Sequence, residues 1–460
     1  MAFVYYGPNE SEWKKAGEAS YKIDGGTDFQ IYENAIVLPL KKREDISSPD
    51  GVFSGGICAP DYTFLAGHRR NLNNSEANYS CETGYIPLSR PEFRNERVVF
   101  GGFLYRHFGH MLLEGMARLW YVVKNRPSCK IVFLAFPNKP KVSCNWQDFF
   151  SLLDIDEDQI EIINSPTQFK EIIVPDESLV TLSGYCETYP IVYEYMQKKV
   201  VPTQYKKIYF SRTEYSKGAK YQGFINEQYF ETFYAKRGFK VVHPEQLPLY
   251  DQIALVAGAD EFVSMLGTMT HLLLFAKSSI KATILVRSPF WVEAQFLIDQ
   301  AKKICPSYVY ATRNILPSVH TTNAFLFSPN KYFKQYLDEK EISYDLKELE
   351  LDKNFPFYCY EYLMNYDHVM QKASSRKNVL NNASIEDVLD TVHDAFSQQD
   401  GLKGDWDLLD FVSEYRKEET KRIKLEKELE KKKREIEKIK NSKSWKITRP
   451  LRKIISFLER

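Results

Sequence analysis

The sequence contains no C-x-x-C pair, no internal repeat and no uninterrupted apolar stretch long enough to span a bilayer, which takes about 18 residues or more. Its seven cysteines (Cys58, Cys81, Cys129, Cys144, Cys186, Cys305 and Cys359) are odd in number and scattered. A disulfide frame and a cysteine zinc site are therefore set aside, and reduced thiols in a cytoplasm are expected. The opening MAFVYYGPNESEWKK lacks the basic start and apolar run of a secretion signal. Net charge is nearly absent too, at +1, but it is unevenly spread. Residues 414–440 hold 12 Lys/Arg against 8 Glu, and residues 441–460 hold six against one, which leaves the first 413 residues with eight excess acids. An acidic body argues against nucleic acid as the main partner, while the basic end suits an anionic membrane surface.

What is present fits a chain of more than one core. The 460 residues exceed the usual size of one domain. Aromatics are abundant, with 30 Tyr and 30 Phe, and large cores absorb most such side chains. Up to residue 200, short strands are expected at 31–40, 97–100, 130–136, 159–163 and 171–174, with helices over 105–124 and 147–153. A new unit starts near Val201-Pro202. Strands at 207–210, 240–242, 261–264 and 282–286 alternate with helices at 227–237, ended by Gly238, at 249–257, and from the Gly267 turn through Ala276. Four strands with three crossovers in so short a span predict a doubly wound parallel sheet.

Three segments carry candidate chemistry. In YRHFGHMLLEGMARLWYVV, a continuous helix at about 100° per residue places His107, His110, Glu114 and Arg118 in one stripe about 80° wide. So apolar a helix is largely buried, and buried charges persist only if paired or lining a cleft. The stripe reads either as an active-site wall with His110 or Glu114 as general base, or as an internal His–Glu–Arg network. The first is favoured, because four ionisable groups are expensive to bury for structure alone. An H-x-x-H-x-x-x-E metal site is disfavoured, since Arg118 one turn on repels a cation. The second segment, IYFSR, carries Ser211 and Arg212 to the carboxyl edge of a parallel sheet, where ligands of open α/β sheets bind and a guanidinium grips phosphate. In the third, ADEFVSMLGTMTHLLLFAK, a strand, a Gly267 turn and a helix start leave backbone N–H groups free for an anion, with hydroxyls on Thr268 and Thr270 and an imidazole on His271.

The order and spacing of these segments resemble glycosyltransferase family 61, including its bacterial capsular-polysaccharide members. GHMLLEGMARLW resembles that family's G-H-x-x-x-E-x-x-x-R segment, here Gly109, His110, Glu114 and Arg118. YFSR and the stretch after it resemble the Ser-Arg strand, Asn-Glu helix start, Gly-Phe strand entry and Gln-containing helix, here Ser211, Arg212, Asn226, Glu227, Gly238, Phe239 and Gln252. LGTMTHLLLF resembles the family's glycine turn through Gly267, Thr268 and Phe275, with Leu266 where many members carry His and His271-Leu272 where the usual Asn is missing. The resemblance spans about residues 95–290, and SKSWKITRPLR is similar to a tail on many cell-envelope glycosyltransferases.

The resemblance implies a GT-B-like α/β fold, two Rossmann-type domains facing a cleft, with a C-terminal helical extension. It also implies inverting, metal-independent sugar transfer, usually from a UDP-sugar and without a cofactor. The expected domains are an acceptor-binding α/β unit over 1–200, a nucleotide-sugar-binding unit over 204–330, helices over 331–412 packing back on both, a charged helix or short coiled coil over 413–443 and a basic amphipathic tail over 444–460. His110 or Glu114 is the expected base. Ser211, Arg212, Gly267, Thr268, Met269, Thr270 and His271 are the expected donor-site residues, supported by His107, Arg118, Lys217, Lys220, Asn226 and Glu227. Expected partners are a nucleotide sugar, a glycan or lipid-linked glycan acceptor, the inner face of a membrane through residues 441–460, and a second copy through the charged helix. The rival readings are a CMP-sugar or polyol-phosphate transferase, and an inactive scaffold on the same fold.

Overall fold

The computed structural model describes residues 3–351 apart from 24–26, 47–50, 137–143, 215–223 and 315–323, together with scattered positions from 354 to 435. Lys217, Lys220, nearly all of the 352–443 region and the 444–460 tail lie outside the described residues. Within them the chain is mixed α/β, built on two main sheets.

The second half forms a six-stranded, all-parallel sheet. From one edge its strands are Lys240–Val242, Lys207–Phe210, Glu261–Met265, Lys281–Val286, Ser307–Tyr310 and Val4–Tyr6. Alternate residues of these apolar strands face two different layers. Tyr209, Val263, Leu285 and Val309 pack with Phe230, Phe233, Phe333 and Tyr336 of the helices Gln228–Ala235 and Lys331–Glu339. Ile208, Phe210, Phe262, Ile284 and Val286 face the opposite way, toward the helix Leu249–Gly258 and the first half. Burial on both faces is what continuous hydrophobic strands require. The strand order reverses between Lys207–Phe210 and Glu261–Met265, so the doubly wound expectation is met and its switch point lies between these two strands.

The sheet of the first half has eight strands and is mixed. Thr167–Pro175, Glu92–Leu104, Ile131–Ala135 and Ile160–Ile162 are parallel, whereas Phe29–Glu33, Ile36–Lys42, Phe53–Cys58 and Phe64–Ala66 form an antiparallel flank. Doubly wound order is thus seen in one sheet, and the edge strand Val4–Tyr6 carries the start of the chain into it. The single strand expected at 31–40 is two, divided at Asn34, whose φ of 55° is left-handed.

The helix expected over 105–124 is not continuous. It runs as an α-helix over Phe108–Leu113, tightens to a 3-10 turn over Glu114–Met116 and resumes over Trp120–Asn125. Gly115 sits at the break, where a side chain would lie 2.6 Å from Met111 Sδ. The segment after Gly267 is likewise a 3-10 helix, Thr268–Phe275. Phe108–Leu113 and Tyr189–Lys198 both pack against Thr268–Phe275, and one hydrophobic core runs through both halves. All seven cysteines are free, and among the described residues no helix is long and apolar enough to cross a membrane.

Candidate active site

The carboxyl ends of three neighbouring parallel strands supply one wall. Lys207–Phe210 leads to Ser211 and Arg212, Glu261–Met265 to Gly267, and Lys281–Val286 to Arg287. Gly267 has a φ of 153°, a conformation that favours glycine, and a side chain there would stand 3.8 Å from Arg212 Nη1 and from both Nη atoms of Arg287. Two guanidinium groups therefore converge on one bare backbone turn. Both also sit over the ring of Phe224, with Cζ to centroid distances of 4.6 Å for Arg212 and 5.3 Å for Arg287. Behind them Glu227 is buried. Its Oε1 accepts from the Arg212 backbone N–H at 3.0 Å, and its Oε2 has no partner among the described residues. Burial, against the pull of Arg212, pushes the Glu227 carboxyl up to about 7.

The opposite wall is the helix Phe108–Leu113 and the turn after it. His110 Nδ1 and Glu114 Oε2 are 2.8 Å apart, and Arg70 Nε lies 2.7 Å from Glu114 Oε1. The Glu114 side chain is 0% exposed, that of His110 24%. Burial would raise the Glu114 carboxyl, but His110 and then Arg70 outweigh it and hold the group well below the usual carboxylate range. An anionic Glu114 calls for a hydrogen on the facing His110 Nδ1, so Nε2 is the ring nitrogen left to act as acceptor when the imidazole is neutral. The imidazole is seated against Tyr105 and Tyr79 at ring-centroid distances of 5.4 and 4.9 Å. Tyr193 Oη anchors the helix by donating to the Leu112 carbonyl at 2.6 Å.

The walls meet at Gly109, where an added Cβ would fall 3.0 Å from Thr268 Oγ1. One turn further on, His271 is buried beside this contact. Gln295 Nε2 donates to Asp299 Oδ1 at 3.0 Å, so Gln295 Oε1 is turned to His271 Nδ1, 3.2 Å away. Nδ1 must then carry the hydrogen, and Nε2 is an acceptor. Burial, opposed by Gln295 and Glu114 and helped by His110 and His107, drives the His271 imidazole down to about 4 and keeps it neutral.

Residues 108–284 match the family model described as Glycosyltransferase 61.

The match supports a place in glycosyltransferase family 61 and, with it, glycosyltransferase activity. The matched segment opens at the first residue of the His110 helix and closes inside the strand Lys281–Val286, so it takes in the His110 helix, Arg212 and the Gly267 turn but neither Arg70 nor Arg287. No curated protein matches the chain.

Within the matched segment the expected residues divide into groups. His107, His110, Gly267, Thr268, Met269 and Arg212 are at least partly accessible, and the Gly109–Thr268 contact joins the two walls. Ser211 and Thr270 are sealed. The Ser211 hydroxyl binds within its own turn to Thr213, and the Thr270 hydroxyl lies 2.7 Å from Gly267 O and 2.6 Å from Gln295 Oε1. Neither of these two residues expected in the donor site turns its hydroxyl outward. Asn226 is tied to the Phe327 carbonyl at 3.0 Å. Arg118 leaves the stripe altogether, because the α-helix ends before it. Its guanidinium donates to the Pro175 and Gly67 carbonyls and lies 3.9 Å from Glu177, which in turn pairs with His68. Gly102, at φ 103° in a bulge of Glu92–Leu104, makes room for the Arg118 stem. Among the described residues, no cluster of His, Cys, Asp and Glu is suited to a metal ion.

Sequence reading missed Arg70, Gln295 and Arg287. Arg70 lies on a distant loop with no local signal. Arg287 follows an apolar strand, in ILVRS, just as Arg212 does in YFSR, so the strand-end rule that picked out one applies to both.

Proposed function

We propose that this protein is an inverting glycosyltransferase that moves a hexosyl or pentosyl group from a nucleotide-diphosphate sugar, UDP-linked by resemblance, onto a glycan acceptor. The donor diphosphate lies along Arg212, the Gly267 turn and Thr268, at the switch point of the parallel sheet. The acceptor approaches from the His110 side. His110 Nε2 takes the hydroxyl proton as the acceptor oxygen bonds to the anomeric carbon and the bond from that carbon to the diphosphate oxygen breaks. The leaving nucleoside diphosphate departs with the electron pair, stabilised by the guanidinium charge and the backbone N–H groups of the turn. Attack opposite the leaving group inverts the anomeric centre, and neutral His271 accepts a hydrogen bond from a sugar hydroxyl rather than gripping phosphate.

Glu114 serves as the group that orients His110. A sealed carboxylate between Arg70 and His110 is too weak a base for a sugar hydroxyl, and its value lies in fixing the imidazole tautomer. The observation that carries this reading is the meeting of the His110 helix with Thr268 at Gly109. No step in this route calls for a metal or a cofactor. A role in bacterial capsule or other surface polysaccharide synthesis, at the inner face of the cell membrane, is proposed from the resemblance and from the basic end of the sequence.

The test is a donor screen read by product mass, with UDP-, GDP- and CMP-sugars offered to the full chain. Product from a diphosphate-linked sugar, with the anomeric configuration inverted, is expected. Transfer from CMP-sugars alone, or a retained configuration, would remove the proposal.

A further inference from the structure

Arg287 lies outside the matched segment and is 8% exposed. Its guanidinium rests on the rings of Phe224 and Phe325, at 5.3 and 5.2 Å, and both terminal nitrogens point at the Gly267 turn. Among the described residues no carboxylate pairs with it, and none of its side-chain nitrogens makes a hydrogen bond. Arg212 points at the same spot from the neighbouring side of the turn. The nearby carboxylate of Glu227 spends one oxygen on the Arg212 backbone and is favoured in its protonated form by burial, so it offsets the Arg287 charge poorly. Burial, and then Arg212 itself, disfavour the Arg287 cation.

Arg287 is buried without a paired anion and is repelled by the guanidinium beside it, and holding such a cation out of solvent is costly unless an anion joins it. Arg212 and Arg287 follow the carboxyl ends of the strands flanking Glu261–Met265, with that strand's glycine turn between them, so they meet at the carboxyl edge of the sheet beside its switch point. A ligand there meets two forks and a bare backbone turn. One phosphate group fills one fork, whereas two linked phosphates fill both.

We propose that Arg287 and Arg212 form a two-pronged clamp for a diphosphate, and that this clamp selects nucleoside-diphosphate donors over nucleoside-monophosphate ones. The inference rests on the transferase reading but concerns binding, and it is tested by binding. The full chain is titrated calorimetrically with inorganic pyrophosphate, inorganic phosphate, UDP and UMP, alongside Arg287→Met and Arg287→Lys. Pyrophosphate and UDP should bind the parent about tenfold or more tightly than phosphate and UMP, and Arg287→Met should lose most of that advantage while UMP binding is kept. Without ligand, Arg287→Met should melt no lower than the parent, because it removes a repelled, unpaired cation. Should it melt far below, Arg287→Lys, which keeps the charge and drops the fork, carries the comparison. Parental pyrophosphate affinity in either folded variant overturns the clamp. A parent that binds pyrophosphate through Arg287 yet transfers no sugar leaves the clamp standing and removes the transferase. Sugar transfer at unchanged KM in Arg287→Met removes the clamp alone, and a parent blind to pyrophosphate and UDP removes both.

Discussion

Gly109 and Thr268 touch so closely that a single added carbon on the glycine would stand 3.0 Å from the threonine Oγ1 and 3.1 Å from its Cγ2. The glycine lies in the first turn of the helix that carries His110, and the threonine begins the 3-10 helix that follows the phosphate-type turn. Gly109→Ala therefore sets two effects against each other. Alanine favours the helix by roughly 0.5–1 kcal/mol, while the contact pushes His110 and Thr268 apart. The melting temperature should stay within a few degrees of the parent. The transfer rate should fall about tenfold to a hundredfold, because small misplacements of reacting groups are costly. Steady-state kinetics and a thermal melt on the same preparation check this, and an unchanged rate would show that the contact does not position the site.

His110→Ala should lower kcat by about 10²- to 10⁴-fold, the usual worth of a general base. Glu114→Gln keeps the shape but gives His110 Nδ1 a neutral amide, so the tautomer is no longer dictated, and the loss should be smaller but clear. Equal KM values with a graded fall in kcat would fit the roles assigned. Near-parental kcat in both would remove them from the chemistry.

Arg118 tests the opposite kind of role. Arg118→Met strips hydrogen bonds from the Pro175 and Gly67 carbonyls and leaves Glu177 buried beside His68 without its nearby cation. Breaking a buried charge network from one side costs about 3–5 kcal/mol. The expected result in chemical denaturation is a loss on that scale, with kcat per folded molecule within a few-fold of the parent. A rate collapse at parental stability would return Arg118 to the catalytic row.

Asp299 gives a pH signature. Burial, against hydrogen bonds from Tyr308 and Gln295, raises its carboxyl from 3.8 to about 7. The folded state thus holds this proton more tightly than the unfolded chain does. The stability that follows is fully present below about pH 4 and is lost as the pH rises through about 7. Thermal melts of the parent and Asp299→Asn across pH 4–8 should diverge, the parent losing ground to the variant on the alkaline side. Parallel curves would show that the carboxyl is ionised throughout.

The basic end of the sequence is tested by flotation with anionic vesicles. The full chain should float, and a chain shortened before residue 441 should not, because Trp445, Ile447, Leu451, Ile454 and Ile455 lie among basic residues. Equal flotation of both would end the proposed membrane contact.

Much of the second sheet was legible because its strands are short apolar runs bounded by turns, and the strand Lys207–Phe210 falls where KIYF stands. The i,i+4 spacing of His110 and Glu114 was equally readable, and the two side chains do meet. Arg118 was misplaced because a helical wheel assumes an unbroken helix, and the turn at Glu114–Met116 carries everything after it off the wheel. The Thr270 hydroxyl turns inward for a related reason. In a 3-10 turn the hydroxyl folds back on Gly267, which a regular helix start does not demand. Arg70 reaches Glu114 only through the folding of a remote loop, and no local pattern encodes such a partner.

The most direct test is a crystal structure of the full chain with UDP. The account predicts the diphosphate against the Gly267 turn, within hydrogen-bond reach of Arg212 and Arg287, with His110 Nε2 facing the outer phosphate across the space where a sugar sits. A nucleotide bound elsewhere, or one whose phosphates point away from His110, would contradict it.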